Sequence, residues 1–287
     1  MMRGVRLIVL SVSFLLSGAA VWAGPWTPEQ QQLLMAARSV YVAVEASTWM
    51  PKGRTLADVA PTIRRRLGAH DFRIVRSADE PHDLTLSVRY TELRGKAYRI
   101  DDYATVIRCD LRLVHRTLEE MWSRTVEASS GELESGTPPY LEALEEFQTN
   151  PYYFFLGEFV RAAIEGPVDT VEVLSVALRR IAVAEAIAEQ QSERPVDPGH
   201  GMLFTESVYT DLVVDKTIDE LARTHDPRTI DVLTDLLRHP DGRIRLASVR
   251  ALAVAHDPGA RVALERVAER DPAERVRRAA AAALAAP

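Results

Sequence analysis

Residues 226–256 read DPRTIDVLTDLLRHPDGRIRLASVRALAVAH, and residues 257–287 read DPGARVALERVAERDPAERVRRAAAAALAAP. The second segment repeats the first at an interval of 31 residues, which becomes 32 after one inserted residue. The matching positions are Asp226-Pro227 and Asp257-Pro258, Leu233 and Leu264, Ile244-Arg245 and Val276-Arg277, and Ala247, Ala251 and Leu252 with Ala279, Ala283 and Leu284. A repeat of this length with apolar residues at helical spacing predicts a solenoid of stacked helix pairs.

The repeat extends towards the amino terminus. Leu221 lies 31 residues before Leu252, so residues 209–225 are predicted to form half of an earlier unit, and the count is about two and a half. The pattern Asp-Pro-x-x-x-x-x-Leu, followed by Ile/Val-Arg-x-x-Ala-x-x-x-Ala-Leu, resembles HEAT repeats of the phycobilisome-lyase type. The resemblance covers residues 207–287 and implies a helical surface that holds other proteins, without lyase activity.

Two arginines match the arginine of the family pattern. Arg245 and Arg277 are interpreted as satisfying an aspartate or a helix end in an adjacent unit, and contact with a partner is the alternative. Because two and a half units fall short of the three or so that a solenoid usually needs, residues 205–287 are expected to depend on neighbouring structure for stability.

The start of the chain is typical of a secretory signal. Arg3 and Arg6 precede an apolar run, and Val21 and Ala23 suit signal peptidase. The sequence therefore predicts a signal peptide over residues 1–23 and a periplasmic or secreted mature protein. A retained membrane anchor is the alternative, because the uncharged run of 17 residues is at the lower edge of a membrane span.

Residues 24–128 predict an α+β domain in the order strand, helix, then four strands. Alternation of apolar and polar residues marks the strands, and Asp58 is predicted to cap the helix. Arg94-Gly95-Lys96 predicts a turn. The predicted strands are 40–46, 72–74, 84–91, 107–113 and 122–126, and the predicted helix is 56–67.

The only cysteine, Cys109, shares the apolar face of its predicted strand with Ile107, Leu111 and Leu113, which predicts a buried and unreactive thiol. The element order and the hairpin around Trp122 resemble the small α+β domains of bacterial envelope proteins.

The middle of the chain is predicted to be helical. Residues 129–191 combine a loop with a helical extension in which Pro151 opens a helix running to Gly166, and its aromatic cluster is expected to pack on the sheet. Residues 192–206 contain Pro and Gly among polar residues and predict a linker before the repeats at 207–287.

Charge is unevenly distributed along the chain. The formal net charge is -6, yet residues 226–287 hold 11 arginines against nine acids. This asymmetry predicts an acidic protein partner or self-association and does not favour nucleic acid. The candidate partner-binding residues are Arg275, Arg278, Arg243 and Arg250.

The sequence contains none of the common catalytic or cofactor motifs: Gly-x-Gly-x-x-Gly, a phosphate loop, Gly-x-Ser-x-Gly, His-Glu-x-x-His or paired cysteines. We therefore expect a non-enzymatic scaffold or adaptor of the envelope, without cofactor or metal. A small-ligand or cell-wall-binding protein is the first alternative, with a pocket formed by the sheet and covered by helices. An enzyme of unrecognised type is the second alternative.

Overall fold

The computed structural model describes residues 26–50, 53, 55–99, 102–118, 120–130, 138–192, 203–255 and 257–285. The predicted signal peptide, 1–23, lies outside these residues. The strands are β1 (Ser39–Thr48), β2 (Arg73–Val75), β3 (Leu84–Arg99), β4 (Asp102–His115) and β5 (Glu120–Ser129). The helices are α1 (Pro28–Met35), α2 (Val59–Gly68), α3 (Pro139–Gln148), α4 (Pro151–Phe154), α5 (Leu156–Glu165), α6 (Thr170–Ser192), α7 (Leu203–Arg223), α8 (Arg228–Leu236), α9 (Gly242–Ala255), α10 (Pro258–Arg270) and α11 (Glu274–Ala285).

The five strands form one sheet in the order β2-β1-β3-β4-β5. The β1 strand runs parallel to both of its neighbours, and the β3–β4 and β4–β5 pairs are antiparallel. This confirms an α+β domain with a strand, a helix and four further strands. The preceding helix α1, capped by Thr27, was not predicted.

The predicted turn at Arg94-Gly95-Lys96 is wrong, because β3 continues to Arg99. The register of β3 against β4 shifts between Arg94 and Ala97, so an irregularity takes the place of the turn. A Cβ atom on Gly95 would lie 2.8 Å from the Cβ of Ala104. The glycine therefore allows a close approach of the paired strands, a common role for glycine within a strand.

One face of the sheet is apolar and is covered by α2, α3, α4 and α5. The alternation seen in the sequence places Leu86, Val88, Cys109 and Leu111 on this face, all fully buried or nearly so. Burial of the Cys109 thiol, with a smaller effect from the neighbouring Asp110 carboxylate, raises its pKa to about 12. The predicted burial of Cys109 is confirmed, and its low reactivity stays a prediction.

Aromatic rings pack between the sheet and the helices above it. Trp122 of β5 stacks on Phe159 of α5 with ring centroids 5.5 Å apart, and Tyr90 of β3 meets Phe147 of α3 edge-on at 5.5 Å. The aromatic cluster predicted after Pro151 packs beside them: the Tyr153 ring lies 4.2 Å from that of Phe147, and Arg124 of β5 lies over the Tyr152 ring, which confirms the expected packing on the sheet. The helix predicted from Pro151 to Gly166 is divided at Phe155 into α4 and α5.

The remaining helices form two layers. One layer contains α6, α8 and α10, the other contains α7, α9 and α11, and each helix contacts the next member of its own layer. The predicted linker, 192–206, includes the last residue of α6 and the first turn of α7, and residues 193–202 lie outside the described part. Among the described residues, no helix combines the length and apolar character needed to cross a bilayer.

Candidate protein-interaction surface

The repeated Asp-Pro pair lies at the start of the first helix in each unit, with Asp257 as the cap of α10 and Pro227 as the cap of α8. The Asp257 carboxylate accepts hydrogen bonds from the amides of Gly259 and Ala260 at 2.7 and 3.3 Å, and Pro258 is the first residue of α10. The Asp226 carboxylate accepts from the Arg228 amide at 2.9 Å. Aspartate at the cap with proline after it satisfies or removes amides that the helix leaves unbonded.

Arg245 ties two consecutive units together. Its Nη1 donates to the carbonyls of His239 and Pro240 at 2.8 and 2.7 Å, in the loop that precedes its own helix. Its Nε and Nη2 donate to the two carboxylate oxygens of Asp271 at 2.8 and 3.1 Å, in the equivalent loop of the next unit. Both side chains are buried, with 8% and 3% of their surfaces exposed. Arg245 therefore has the structural role that the sequence favoured.

Arg277 repeats the first half of this arrangement. Its Nη1 donates to the carbonyls of Asp271 and Pro272 at 2.6 and 3.2 Å, as Arg245 does one unit earlier. Within the described chain, no carboxylate pairs with its guanidinium in the way that Asp271 pairs with Arg245. Arg277 of α11 is therefore without a carboxylate partner in the described chain, whereas the equivalent Arg245 of α9 is paired with Asp271.

The Asp271 carboxylate is held in its ionised form. Burial alone would raise its pKa, but the hydrogen bonds from Arg245 and the Ala273 amide, with the charges of Arg245 and Arg277, outweigh burial and lower the pKa below its ordinary value. A buried charge pair of this geometry fixes the register between units, since removal of one partner would leave the other uncompensated.

The four predicted partner-binding arginines are placed on the layer of α9 and α11, but they are not equivalent. Arg243 pairs with Asp241 and Asp211, each at 2.7 Å, so its charge is already matched. Arg278 pairs with exposed Glu274, at 3.4 Å, and with no other acid among the described residues. Arg250 and Arg275 are exposed and form no ion pair with any described residue.

The exposed side of α11 is smooth as well as basic. Ala281, Ala282 and Ala285 are exposed beside Arg275 and Arg278. One unit earlier, the positions equivalent to Arg278 and Ala281 are Leu246 and Val249, which are buried. The side of α11 that corresponds to the packed side of α9 is therefore open to solvent in the described structure.

A groove of about 390 Å³ lies between α8 and α10. Its lining includes Arg238, Arg266 and Arg270 together with the buried Arg245–Asp271 pair. This groove was not predicted from the sequence, because Arg238 lies 28 and 32 residues before Arg266 and Arg270 and meets them only when the units stack. The repeat spacing itself is the signal that could have indicated their proximity.

A second cleft, of about 420 Å³, lies between α5 and α6 beside the end of α2. His70 Nε2 lies 3.3 Å from Glu158 Oε2, and Arg180 Nη1 lies 3.3 Å from Glu158 Oε1. A Cβ on Gly157 would lie 2.2 Å from His70 Cδ2, so glycine makes room for the imidazole. This cleft is lined by helices and loops, unlike the sheet-based pocket expected for a small ligand.

The helix pairs, with their caps and the buried arginine–aspartate contact between units, form a helical repeat. A comparison of the sequence with known protein families agrees with this architecture. Residues 212–285 match HEAT repeats. The resemblance predicted from the Asp-Pro and Ile/Val-Arg positions is confirmed over this segment. HEAT repeats generally form solenoids whose exposed faces bind proteins.

Three solved structures have distant similarity to the chain. A hypothetical protein from Chlamydia trachomatis is 12% identical, with 45% of this chain and 98% of that protein covered, at a TM-score of 0.28. A minor lipoprotein from Acinetobacter baumannii is 13% identical, with 45% and 88% covered, at 0.25. A DUF330 protein from Xanthomonas campestris is 11% identical, with 44% and 84% covered, at 0.28. No curated protein matches the chain.

Proposed function

We propose that the protein is a non-enzymatic adaptor of the cell envelope that binds an acidic protein partner through the open side of α11. The observation that carries this proposal is the contrast between α9 and α11. Leu246 and Val249 are buried in α9, whereas the equivalent Arg278 and Ala281 are exposed in α11, within a segment that matches HEAT repeats. Exposed helix faces of such solenoids are used to hold proteins.

The charges of this face define the partner. Arg278 projects from this face, Arg275 is exposed one turn before it, and Glu274 is the one acid on α11. Among the described residues, no carboxylate pairs with Arg277 as Asp271 pairs with Arg245. Charge complementarity favours an acidic surface with a carboxylate available to Arg277. Two α11 helices packed against each other would oppose arginine to arginine, so an acidic region elsewhere in a second copy is the form that self-association would take.

The proposed location rests on the sequence. The charged start, apolar run and small residues before Gly24 support export to the periplasm or beyond the cell. Mass spectrometry of the protein purified from its envelope fraction tests this: a chain beginning at Gly24 is expected, and an intact amino terminus in membranes would indicate the retained anchor.

The proposed binding surface is tested by reversing two of its charges. We expect Arg275→Glu with Arg278→Glu to abolish crosslinking of the full chain to an acidic partner in envelope extracts at low salt. The matched control is Arg64→Glu with Arg65→Glu, which makes the same charge change on exposed positions of α2. If the partners and the oligomeric state both survive the reversal on α11, the surface lies elsewhere.

A further inference from the structure

The groove between α8 and α10 has an apolar floor. Leu237, Ala263 and Val267 line it, each about nine-tenths buried. Pro240 and Pro272, from the equivalent loops of two units, are also in the lining. A volume of about 390 Å³ lies within the range of about 300–1,000 Å³ that is usual for ligand-binding clefts.

The sides of the groove carry cations with weak intramolecular partners. Arg238 lies 4.0 Å from Asp235, and Arg270 lies 3.9 Å from Glu269, with both members of each pair largely exposed. Arg266, one turn before Arg270 on α10, is exposed and forms no ion pair within the described residues. Exposed pairs at such distances contribute little, so the three guanidinium groups are available to a ligand.

The charge of the lining is strongly one-sided. Four arginines and one aspartate line the groove. The aspartate, Asp271, is already paired with Arg245 and both are buried, so the exposed charge comes from Arg238, Arg266 and Arg270. Such a groove favours an anionic ligand that also carries apolar surface.

We infer that this groove binds an extended acidic segment of a partner protein, with an aliphatic side chain on the floor and carboxylates at the three exposed arginines. Arginine pairs with carboxylates through two parallel hydrogen bonds, and Leu237 and Val267 offer a surface for the aliphatic group. The groove lining contains no Phe, Tyr or Trp side chain, and its His239 is buried, so no exposed ring is offered to a nucleic-acid base for stacking, and this favours a peptide.

This site shares with the proposed function the premise that the solenoid binds proteins, but it uses other residues. The groove lies on the layer of α8 and α10, whereas Arg275 and Arg278 belong to the layer of α9 and α11. The reversal of Arg275 and Arg278 is therefore expected to leave peptide binding in the groove unchanged. The two sets of variants therefore distinguish a failure of the proposed α11 surface from a failure of the groove as a binding site.

The probe is a fluorescein-labelled pentapeptide, acetyl-Glu-Leu-Glu-Leu-Glu-amide, titrated with the full chain in low salt and followed by fluorescence anisotropy. We expect Arg266→Glu to weaken binding at least about tenfold, and Arg266→Lys to weaken it only about two- to fivefold, because lysine keeps the charge but loses the paired geometry. Arg261→Glu, on an exposed position of the same helix, is the control and is expected to have no effect.

Two further peptides test the chemistry. Replacing each glutamate of the probe by lysine is expected to abolish binding, and replacing each leucine by serine is expected to weaken it about tenfold or more. The inference is overturned if the lysine peptide binds as well, if Arg266→Glu has no effect, or if Arg261→Glu weakens binding equally. It is also overturned if Arg266→Glu abolishes binding to phosphatidylglycerol vesicles while the acidic peptide never binds.

Discussion

The two parts of the molecule are held together by different kinds of contact. In the α+β domain and the helices α3 to α5 that pack on its sheet, Tyr90, Phe147, Tyr153 and Phe159 are among the largest fully buried side chains. From residue 210 onwards the chain contains no Phe, Tyr or Trp, and the helices pack through Ala, Val, Leu and Ile with a buried Arg245–Asp271 pair. The domain depends on the fit of large rings, whereas the solenoid depends on repetition and one directional charge contact.

The two parts meet where α7 contacts α4. The Tyr152 hydroxyl donates to Glu220 Oε1 at 2.7 Å, and Arg124 lies over the Tyr152 ring, with Cζ 3.7 Å from its centroid. Lys216 of α7 contacts Glu146 and Thr149 at 2.5 and 2.7 Å. The solenoid thus begins on the domain, and α6 occupies the layer position that α8 and α10 occupy in the later units.

Separating the solenoid from the α+β domain should have the largest effect on cooperative unfolding. A fragment of residues 205–287 lacks α6 and the surface of α4, so we expect it to show no cooperative thermal transition by circular dichroism. A fragment of residues 168–287, which adds α6, restores a third helix pair and should recover a transition. A monomeric 205–287 fragment that melts cooperatively would contradict the dependence on neighbours.

The contrast in core packing predicts a large cost in the domain. Phe147→Ala should lower the free energy of unfolding by about 3–5 kcal/mol, because its fully buried ring contacts those of Tyr90 and Tyr153. Urea unfolding measures the change. Tyr140→Ala, on the partly exposed side of the same helix, is the control and should cost much less. Equal costs would mean that the ring cluster does not hold the domain.

The buried pair of the solenoid predicts a smaller cost that depends on pH. Asp271→Asn should lower the free energy of unfolding by about 1.5–3 kcal/mol near neutral pH, because it removes the charge that faces buried Arg245. The folded-state pKa of Asp271 lies below its unfolded value, so its contribution is present above pH of about 4 and is lost as the pH falls further. The difference between native and variant proteins should shrink in that window.

Urea titrations of both proteins at several pH values between about 6 and 3 provide the measurement, because the window lies around the ordinary aspartate pKa. Arg243→Ala is the matched control, since its ion pairs with Asp241 and Asp211 are exposed on the arginine side, and it should cost about 1 kcal/mol or less. A difference for Asp271→Asn that stays constant with pH would show that its ionisation does not link the units.

The junction predicts the smallest effect. Tyr152→Phe removes one hydrogen bond to partly exposed Glu220 and should cost about 0.5–1.5 kcal/mol. The shape of the urea transition of this variant is the more informative measurement. The transition should become broader if the two parts begin to unfold separately. Thr125→Val, at an exposed position of the sheet, is expected to leave the transition shape unchanged.

Local sequence patterns were sufficient to predict the features that depend on a single helix or strand. The 31-residue interval of Asp226-Pro227 and Asp257-Pro258 predicted repeated helix pairs, because each unit carries its own apolar residues at helical spacing. Strict alternation around Cys109 predicted its burial, because neighbouring residues of a strand face opposite ways. The turn at Gly95 was mispredicted, since glycine marks both turns and close strand contacts and only the pairing with Ala104 distinguishes them.

The packing of one repeat unit on the next determined features that no local sequence pattern could predict. The sequence alone determined that residues 226–287 form repeated helices and that they are rich in arginine. It favoured a structural contact for Arg245 in an adjacent unit, but it could not identify Asp271, 26 residues away, as the partner, or show that Arg266 faces an open groove. Both arginines lie on amphipathic helices, and the difference between a structural and an available guanidinium is set by which helix lies above each one. That arrangement is a property of the tertiary structure, because the partner charges are brought together only when the units pack.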